Sequence, residues 1–403
     1  MLKSLPDVVA ISIKIGIFVS VMTQETFDKL CSAELLNAIE ANVERSAERI
    51  ALDKKIVEPA IVATQVKYLQ RAASKLPSYF AARAIMVPLS YEQASSEEVA
   101  ATKELEGESL LDLTCGLGVD ALHFSRRFKR VVAIERNEIL AQVTRENFRR
   151  MGVSNIEVVC ASAEEYLASC NERFDWIYVD PDRRSASGKK LVRLDECSPN
   201  ILALQSDIDR VSGGRLMVKN SPLFDVDEAF RLFSPARVEV VSLGDECKEV
   251  LVSSHECDLL VARAVGRVTL SVARGDIDHD FCTSAFDGAQ YQYLIIPDVA
   301  LQKSRLVAHA LGPVADVWSN NGFAFARSVP QDVMGRCFEI DKIVEYSPKQ
   351  LKKELAGCGI EILKRDFPYS TSQITQQLKI KEGGARRVAF TRVADRNIVI
   401  FLK

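Results

Sequence analysis

The residues best suited to chemistry stand at the ends of short apolar runs. Asp112 follows Leu110-Leu111, and after it comes Leu113-Thr114-Cys115-Gly116-Leu117-Gly118-Val119-Asp120-Ala121. Glu135 closes Val131-Val132-Ala133-Ile134, Asp180 and Pro181 follow Trp176-Ile177-Tyr178-Val179, and Lys219 ends Leu216-Met217-Val218. Glycines between a strand and a helix let the backbone pass close to a ligand, where side chains would take up its space. Gly116 to Ala121 fits the GxGxxA form of the dinucleotide fingerprint, and Glu135 lies near the place of its ribose-binding acid. Asp112 separates the two readings this allows. A carboxylate before the glycines opposes a pyrophosphate but attracts a cation, such as the ammonium of a methionine moiety. The charge pattern therefore favours a cationic nucleoside ligand. An NAD-dependent oxidoreductase is the alternative, without a convincing catalytic His or Tyr-Lys arrangement to support it.

Five apolar runs, near 110–113, 131–134, 156–159, 176–179 and 216–218, alternate with helical stretches, which predicts a parallel sheet. Arg237 to Ser242 and Val250 to Ser253, joined through Gly244-Asp245, are expected as an antiparallel pair closing it. In such a sheet ligands sit at the carboxyl ends of strands, so Asp180 and the glycine turn should face one crevice. The fold class is α/β, a Rossmann-like seven-stranded sheet flanked by smaller domains. Upstream, apolar residues such as Leu30, Leu35, Leu36, Ile39 and Val43 recur at helical spacing, predicting a helical domain over 22–106 ahead of the sheet domain at 107–265. Shorter mixed elements follow, read as an α+β domain at 266–335 and a last one at 336–403. The last carries Lys379, Lys381, Arg386, Arg387, Arg392 and Arg396, a local basic patch able to meet phosphate.

A chain of 403 residues is longer than one hydrophobic core usually spans, and its formal charge of -3 rules out nucleic-acid binding by bulk charge. Ten scattered cysteines without a CxxC pair read as reduced thiols of a cytoplasmic protein. His255 and Cys257 lack a second ligand pair, so no metal is expected. Residues 1–21 hold apolar runs interrupted by Lys14, too short to span a membrane, and are read as an extension ahead of a true start at Met22.

The glycine turn, Glu135 and the Asp180-Pro181 step together resemble class I S-adenosylmethionine-dependent methyltransferases. Cys115-Gly116-Leu117-Gly118 with Ala121 to Phe124 is similar to the trimethylguanosine synthase group. Almost everything after Met22 resembles a bacterial methyltransferase family with a ferredoxin-like insert, here 266–335, and a THUMP-like C-terminal domain. That closer match is carried by Glu92-Gln93 with Ser95-Ser96-Glu97, Asp180-Pro181-x-Arg183-Arg184, Lys219 with Ser221-Pro222, Glu246-Cys247-Lys248-Glu249, and the tail from Tyr369 through Leu378 to Gly383-Gly384. The resemblance implies S-adenosylmethionine as cofactor, held by Asp112, Cys115, Gly116, Gly118, Asp120, Glu135, Arg136, Ser162, Ala163 and Asp180. It also implies an RNA substrate, since THUMP domains are associated with RNA, and catalytic roles for Asp180, Pro181, Arg183 and Lys219.

Two departures qualify these expectations. Many exocyclic-amine methyltransferases follow the acid with two prolines and an aromatic that stacks on the base; here Asp182 and Arg183 stand in the last two places. A guanidinium plane can also stack, and Arg183, Arg184, Lys189, Lys190 and Arg193 could clamp a phosphate. Ser162 stands where the class often bonds the adenine amine with an Asp. Methyl transfer needs in-line alignment above all, so Asp180 is expected to orient or deprotonate the acceptor and Lys219 to contact an anionic group. An RNA-binding module that keeps the fold without turnover is the remaining alternative.

Overall fold

The computed structural model describes residues 22–182 and 193–403, and the chain divides after Lys219 into two compact units. The first opens with helices α1 (Gln24–Leu30), α2 (Ala33–Asn42), α3 (Ala47–Leu52), α4 (Pro59–Lys75), α5 (Pro77–Ala81), α6 (Pro88–Gln93) and α7 (Glu97–Ala100). Their starts follow local chemistry. Ser32, Ser46 and Ser96 cap α2, α3 and α7 by accepting a backbone N–H, and Pro59, Pro77 and Pro88 occupy a first turn, where no N–H is missed.

There follow β1 (Gly107–Asp112), α8 (Val119–Phe124), β2 (Phe128–Glu135), α9 (Glu138–Arg150), β3 (Ile156–Cys160), α10 (Ala163–Ser169), β4 (Trp176–Val179), α11 (Gln205–Ser212) and β5 (Leu216–Asn220). These strands pair in parallel in the order β3-β2-β1-β4-β5. Leu110, Leu111, Val131, Val132, Ile177 and Val179 are completely or almost completely buried, as a parallel sheet covered on both faces requires. The expected βαβ alternation is present, and all five strands end along one edge.

The helical segment 22–106 shares its core with this sheet. One apolar cluster contains Leu30, Ile50, Leu69 and Tyr79 together with Val119, Phe148, Tyr178 and Met217. Polar bonds reinforce the join. The side chain of Asn147 on α9 accepts from Ile85 N at 2.7 Å and donates to Ile85 O at 3.0 Å, and Arg150 donates to the carbonyls of Arg83 and Leu30. Those backbone groups lie at or beyond the ends of helices, where side chains must satisfy them.

The second unit starts with α12 (Val226–Phe233) and β6 (Ala236–Leu243), β7 (Glu246–Ser254), β8 (Leu259–Ala264) and β9 (Val268–Ala273), ordered β7-β6-β8-β9. The β6/β7 pair is antiparallel, as expected. The sequence-based boundary near 266 is corrected here: Val268–Ala273 pairs antiparallel with β8, and Val265-Gly266-Arg267 is the turn between them. A glycine turn reads alike in sequence whether it ends a domain or a hairpin, and only pairing distinguishes the two. A second sheet contains β10 (Tyr293–Pro297), β11 (Asp316–Val317), β12 (Ala324–Ala326), β13 (Gly335–Glu345), β14 (Gly359–Lys364), β15 (Lys381–Glu382), β16 (Arg386–Val393) and β17 (Arg396–Leu402). Strand β13 belongs to both of the expected C-terminal domains: residues 335–339 pair with β10, and residues 340–345 with β17. Helices α13 (Val299–Ser304), α14 (Val307–Leu311), α15 (Pro348–Leu355) and α16 (Thr371–Leu378) complete the unit.

Replacing Asn147 by Ala leaves the N–H and C=O of Ile85 buried and unpaired. Urea unfolding is expected to show a loss of about 2 to 3 kcal/mol. A loss below roughly 0.5 kcal/mol would mean that helices and sheet are not joined through this residue.

Candidate active site

The glycine turn between β1 and α8 is fixed from both sides. Leu113 N donates to Tyr178 O on β4 at 3.0 Å, and Cys115 N to Ile134 O on β2 at 2.8 Å. Thr114 adds a side-chain link, its Oγ1 accepting from Asp180 N at 2.6 Å. The buried Tyr79 hydroxyl donates to Leu117 O at 2.8 Å, so the helical segment also holds the turn. The two glycines serve different ends. Gly118 has φ +85°, and a Cβ there would come within 2.5 Å of the Phe148 ring and 2.9 Å of Thr144. Gly116 has φ +56°, and a Cβ there would meet nothing within 4 Å, so its outer face is open to a ligand.

Three acids converge on this turn. The Glu135 carboxylate accepts from Gly116 N at 2.9 Å and from Asn137 N at 2.8 Å, which fixes its plane and leaves lone pairs for hydroxyl donors. Burial raises its pKa, partly offset by those bonds. Asp112 accepts from Thr114 N at 2.9 Å and is only 1% exposed. Burial, with the nearby charges of Asp120, Asp180 and Glu135, pushes its carboxyl up to about 8 despite that bond. Such a group holds a proton at neutral pH until a cation arrives beside it. The open glycine face, the oriented Glu135 and the neutral, buried Asp112 fit a cationic nucleoside cofactor better than a pyrophosphate.

Asp120, expected as a cofactor contact, is engaged by charged and hydroxyl groups of the protein itself. Its Oδ1 lies 3.1 Å from Lys103 Nζ, and its Oδ2 accepts from the Tyr178 hydroxyl at 2.8 Å and lies 3.9 Å from Lys219 Nζ. Burial alone would raise its pKa; the ammonium groups of Lys103 and Lys219 override this and hold it at about 2. Lys219, itself 7% exposed, places Nζ 2.5 Å from Asp180 Oδ2 at the carboxyl ends of β4 and β5. Asp180, Lys219 and the glycine turn thus share one edge of the sheet, as expected for them.

The remaining predicted residues are placed as follows. Cys115 is buried, and burial raises its thiol pKa well above the usual value. Ser162 caps α10 in a reciprocal capping box: its hydroxyl donates to Glu165 Oε2 at 2.9 Å and accepts from Glu165 N, while Ala163 is buried in the first turn. Arg136 lies 3.5 Å from Asp182 and donates to Ser198 Oγ at 3.2 Å. Pro181 is buried. Arg183, Arg184, Lys189 and Lys190 lie outside the described residues, and Arg193 pairs with Asp195. In the C-terminal patch Arg386, Arg387 and Arg396 pair with Glu354, Glu361 and Glu345. Among the described residues no cluster of three or more His, Cys, Asp or Glu could hold a metal, and no helix is long and apolar enough to cross a membrane.

Sequence reasoning missed Lys103, Thr114 and Tyr178. Thr114 was legible as a hydroxyl inside the glycine turn. Lys103 was not, because a single lysine between a helix and a strand carries no periodic signal.

Residues 110–184 match the family model of a methyltransferase domain, and residues 335–403 that of a THUMP domain-like segment. An uncharacterised S-adenosylmethionine-dependent methyltransferase of Mycobacterium tuberculosis is 23% identical over 337 residues, 80% of this chain and 90% of that protein. Ribosomal RNA small subunit methyltransferase J of Coxiella burnetii is 33% identical over 113 residues, 24% of this chain and 44% of that one, and an uncharacterised RNA methyltransferase of Thermosynechococcus vestitus is 31% identical over 96 residues, 24% of this chain and 21% of that one. The crystal structure of a candidate methyltransferase from Porphyromonas gingivalis shares the fold, with a TM-score of 0.76 at 23% identity over 95% of this chain and 98% of that one. The class defined is therefore the methyltransferases, and the oxidoreductase alternative falls away. Residues 110–184 thus form a methyltransferase domain, and residues 335–403 a THUMP-like one.

Asp112 makes stability depend on pH. Between its unfolded pKa, about 3.9, and its folded value of about 8, the folded protein keeps a proton that the unfolded chain has released. Its contribution is therefore complete below the unfolded value and declines as pH rises through the folded one. Urea unfolding at pH 5 and pH 9 is expected to show Asp112→Asn gaining on the wild type by roughly 2 to 4 kcal/mol at the higher pH. A pH-independent difference would refute it.

Proposed function

We infer that this methyltransferase acts on RNA, with Asp180 orienting the acceptor and Lys219 holding Asp180 in place. The observation that carries this reading is the Asp180–Lys219 contact of 2.5 Å at the sheet edge, joined through Thr114 to the glycine turn. S-adenosylmethionine, when bound, supplies an electrophilic methyl on a sulfonium. Glu135 would accept from the ribose hydroxyls, Asp112 would face the methionine ammonium, and the backbone of Gly116 would lie against the cofactor. Cys115, Gly118, Asp120 and Ala163 shape this cradle from within the fold, and Arg136 and Ser162 stand at its rim. The acceptor loses one proton for the methyl it gains, and the Asp180 carboxylate is the base nearest that exchange. An anionic oxygen accepting from an N–H both orients the acceptor and favours loss of the proton. Pro181 sets the chain direction after Asp180, and Arg183 is the proposed stacking or phosphate contact.

The RNA substrate is supported by the THUMP domain-like segment and by the names of the two RNA methyltransferase relatives. Exposed Lys379, Lys381 and Arg392 in the C-terminal segment suit phosphate contacts. The ten free thiols suit a reducing cytoplasm.

The test is transfer of labelled methyl from S-adenosylmethionine to unmodified ribosomal and transfer RNA transcripts. Asp180→Asn is expected to lower kcat by about 10²- to 10⁴-fold while cofactor affinity stays within about threefold. Cofactor binding without transfer to any transcript would favour the binding module without turnover. In calorimetry, Glu135→Ala is expected to weaken S-adenosylmethionine binding by about 10- to 100-fold; unchanged affinity would remove Glu135 from the site.

A further inference from the structure

The helical segment supplies one charged group that the site described above does not account for. Lys103 lies between α7 and β1, its side chain is 0% exposed, and its Nζ reaches Asp120 Oδ1 at 3.1 Å. A fully buried ammonium is costly unless it answers another charge, and here that charge is a carboxylate shared with the active-site lysine. From β1 comes Asp112, from α8 Asp120, from β4 Tyr178 and Asp180, and from β5 Lys219. Among the described residues, Lys103 and Lys219 thus lie against the carboxylates of Asp120 and Asp180, while Asp112 is the acid that burial keeps protonated.

The spacing is asymmetric. Lys219 Nζ is 2.5 Å from Asp180 Oδ2 but 3.9 Å from Asp120 Oδ2. Asp120 leaves Lys219 to Asp180 because its own charge is already met by Lys103 at one oxygen and by the Tyr178 hydroxyl at the other. Tyr178 is held for that bond by its ring, whose centroid lies 5.0 Å from that of Phe124. Without Lys103, Asp120 and Asp180 would both draw on the Lys219 ammonium in a site of low dielectric, where Coulomb attraction is strong.

We propose that Lys103 is a positioning residue for methyl transfer: by satisfying Asp120 it keeps the Lys219 ammonium on Asp180, so the helical segment completes the active site. The proposal rests on the reading of Asp180 as the acceptor-orienting group. Lys103 touches neither cofactor nor acceptor, and its effect passes through Asp120 and Lys219.

The test is the Lys103→Met variant of the full chain, with Lys103→Arg as the conservative partner. In a crystal structure of K103M, Lys219 Nζ is expected to leave Asp180 and pair with Asp120. On the unmodified RNA transcripts, kcat is expected to fall by about 10- to 100-fold, with KM for S-adenosylmethionine within about threefold. K103R should restore most of the rate. An unmoved Lys219–Asp180 contact in a folded K103M overturns the proposal, as does a loss confined to KM. If K103M fails to fold, Tyr178→Phe removes the other donor to Asp120 while keeping the ring, and the same displacement in smaller degree is expected; an unmoved contact there also overturns it. Asp180→Asn separates the two levels. Full activity in that variant defeats the reading of Asp180, whereas an inactive D180N beside an unaffected K103M defeats this inference alone.

Discussion

Asp120 is a carboxylate whose side chain is only 12% exposed, and the carboxyl-end edge of the first unit's sheet is built on answering its charge. An ion so placed must have partners of opposite sign. The partners come from separate parts of the chain: Lys103 ahead of β1, Tyr178 within β4, and Lys219 at the end of β5. Satisfying that one carboxylate draws these segments together beside the glycine turn. Lys219, drawn in by two acids, sits closer to Asp180 and gives that edge its polarity.

The turn itself is held with comparable redundancy. Backbone bonds from β2 and β4 fix Leu113 and Cys115, Thr114 receives the N–H of Asp180, and Tyr79 reaches in from α5 to Leu117 O. A cofactor cradle needs backbone close to the ligand without mobility. Glycine supplies the first property at a conformational cost, and the surrounding bonds supply the second. The division of labour between the glycines follows: Gly118 is demanded by the packing of Phe148 and Thr144, and Gly116 presents an open backbone face.

Much of this was legible in the sequence. Apolar runs ending in acids located β1, β2 and β4, and the glycine spacing located the turn, because period and punctuation are local properties. The antiparallel pair β6/β7 was legible for the same reason. The pairing of β9 with β8 was not, since a glycine turn carries no record of which strand lies beside it. Nor was the pairing of half the C-terminal basic patch with glutamates legible, since Glu345, Glu354 and Glu361 lie remote in sequence from the arginines they answer.

By itself, the sequence determined the order of elements, the α/β class and the chemical types at the strand ends, because each depends on neighbours within a few residues. Only the tertiary structure decided which charges meet. It made Asp120 a largely enclosed ion-pair centre, raised the carboxyl of Asp112 by withdrawing water from it, committed the Ser162 hydroxyl to a helix cap, and brought Lys103 to the edge that carries the glycine turn. Burial and distance set those outcomes, and both exist only once strands separated by tens of residues lie side by side.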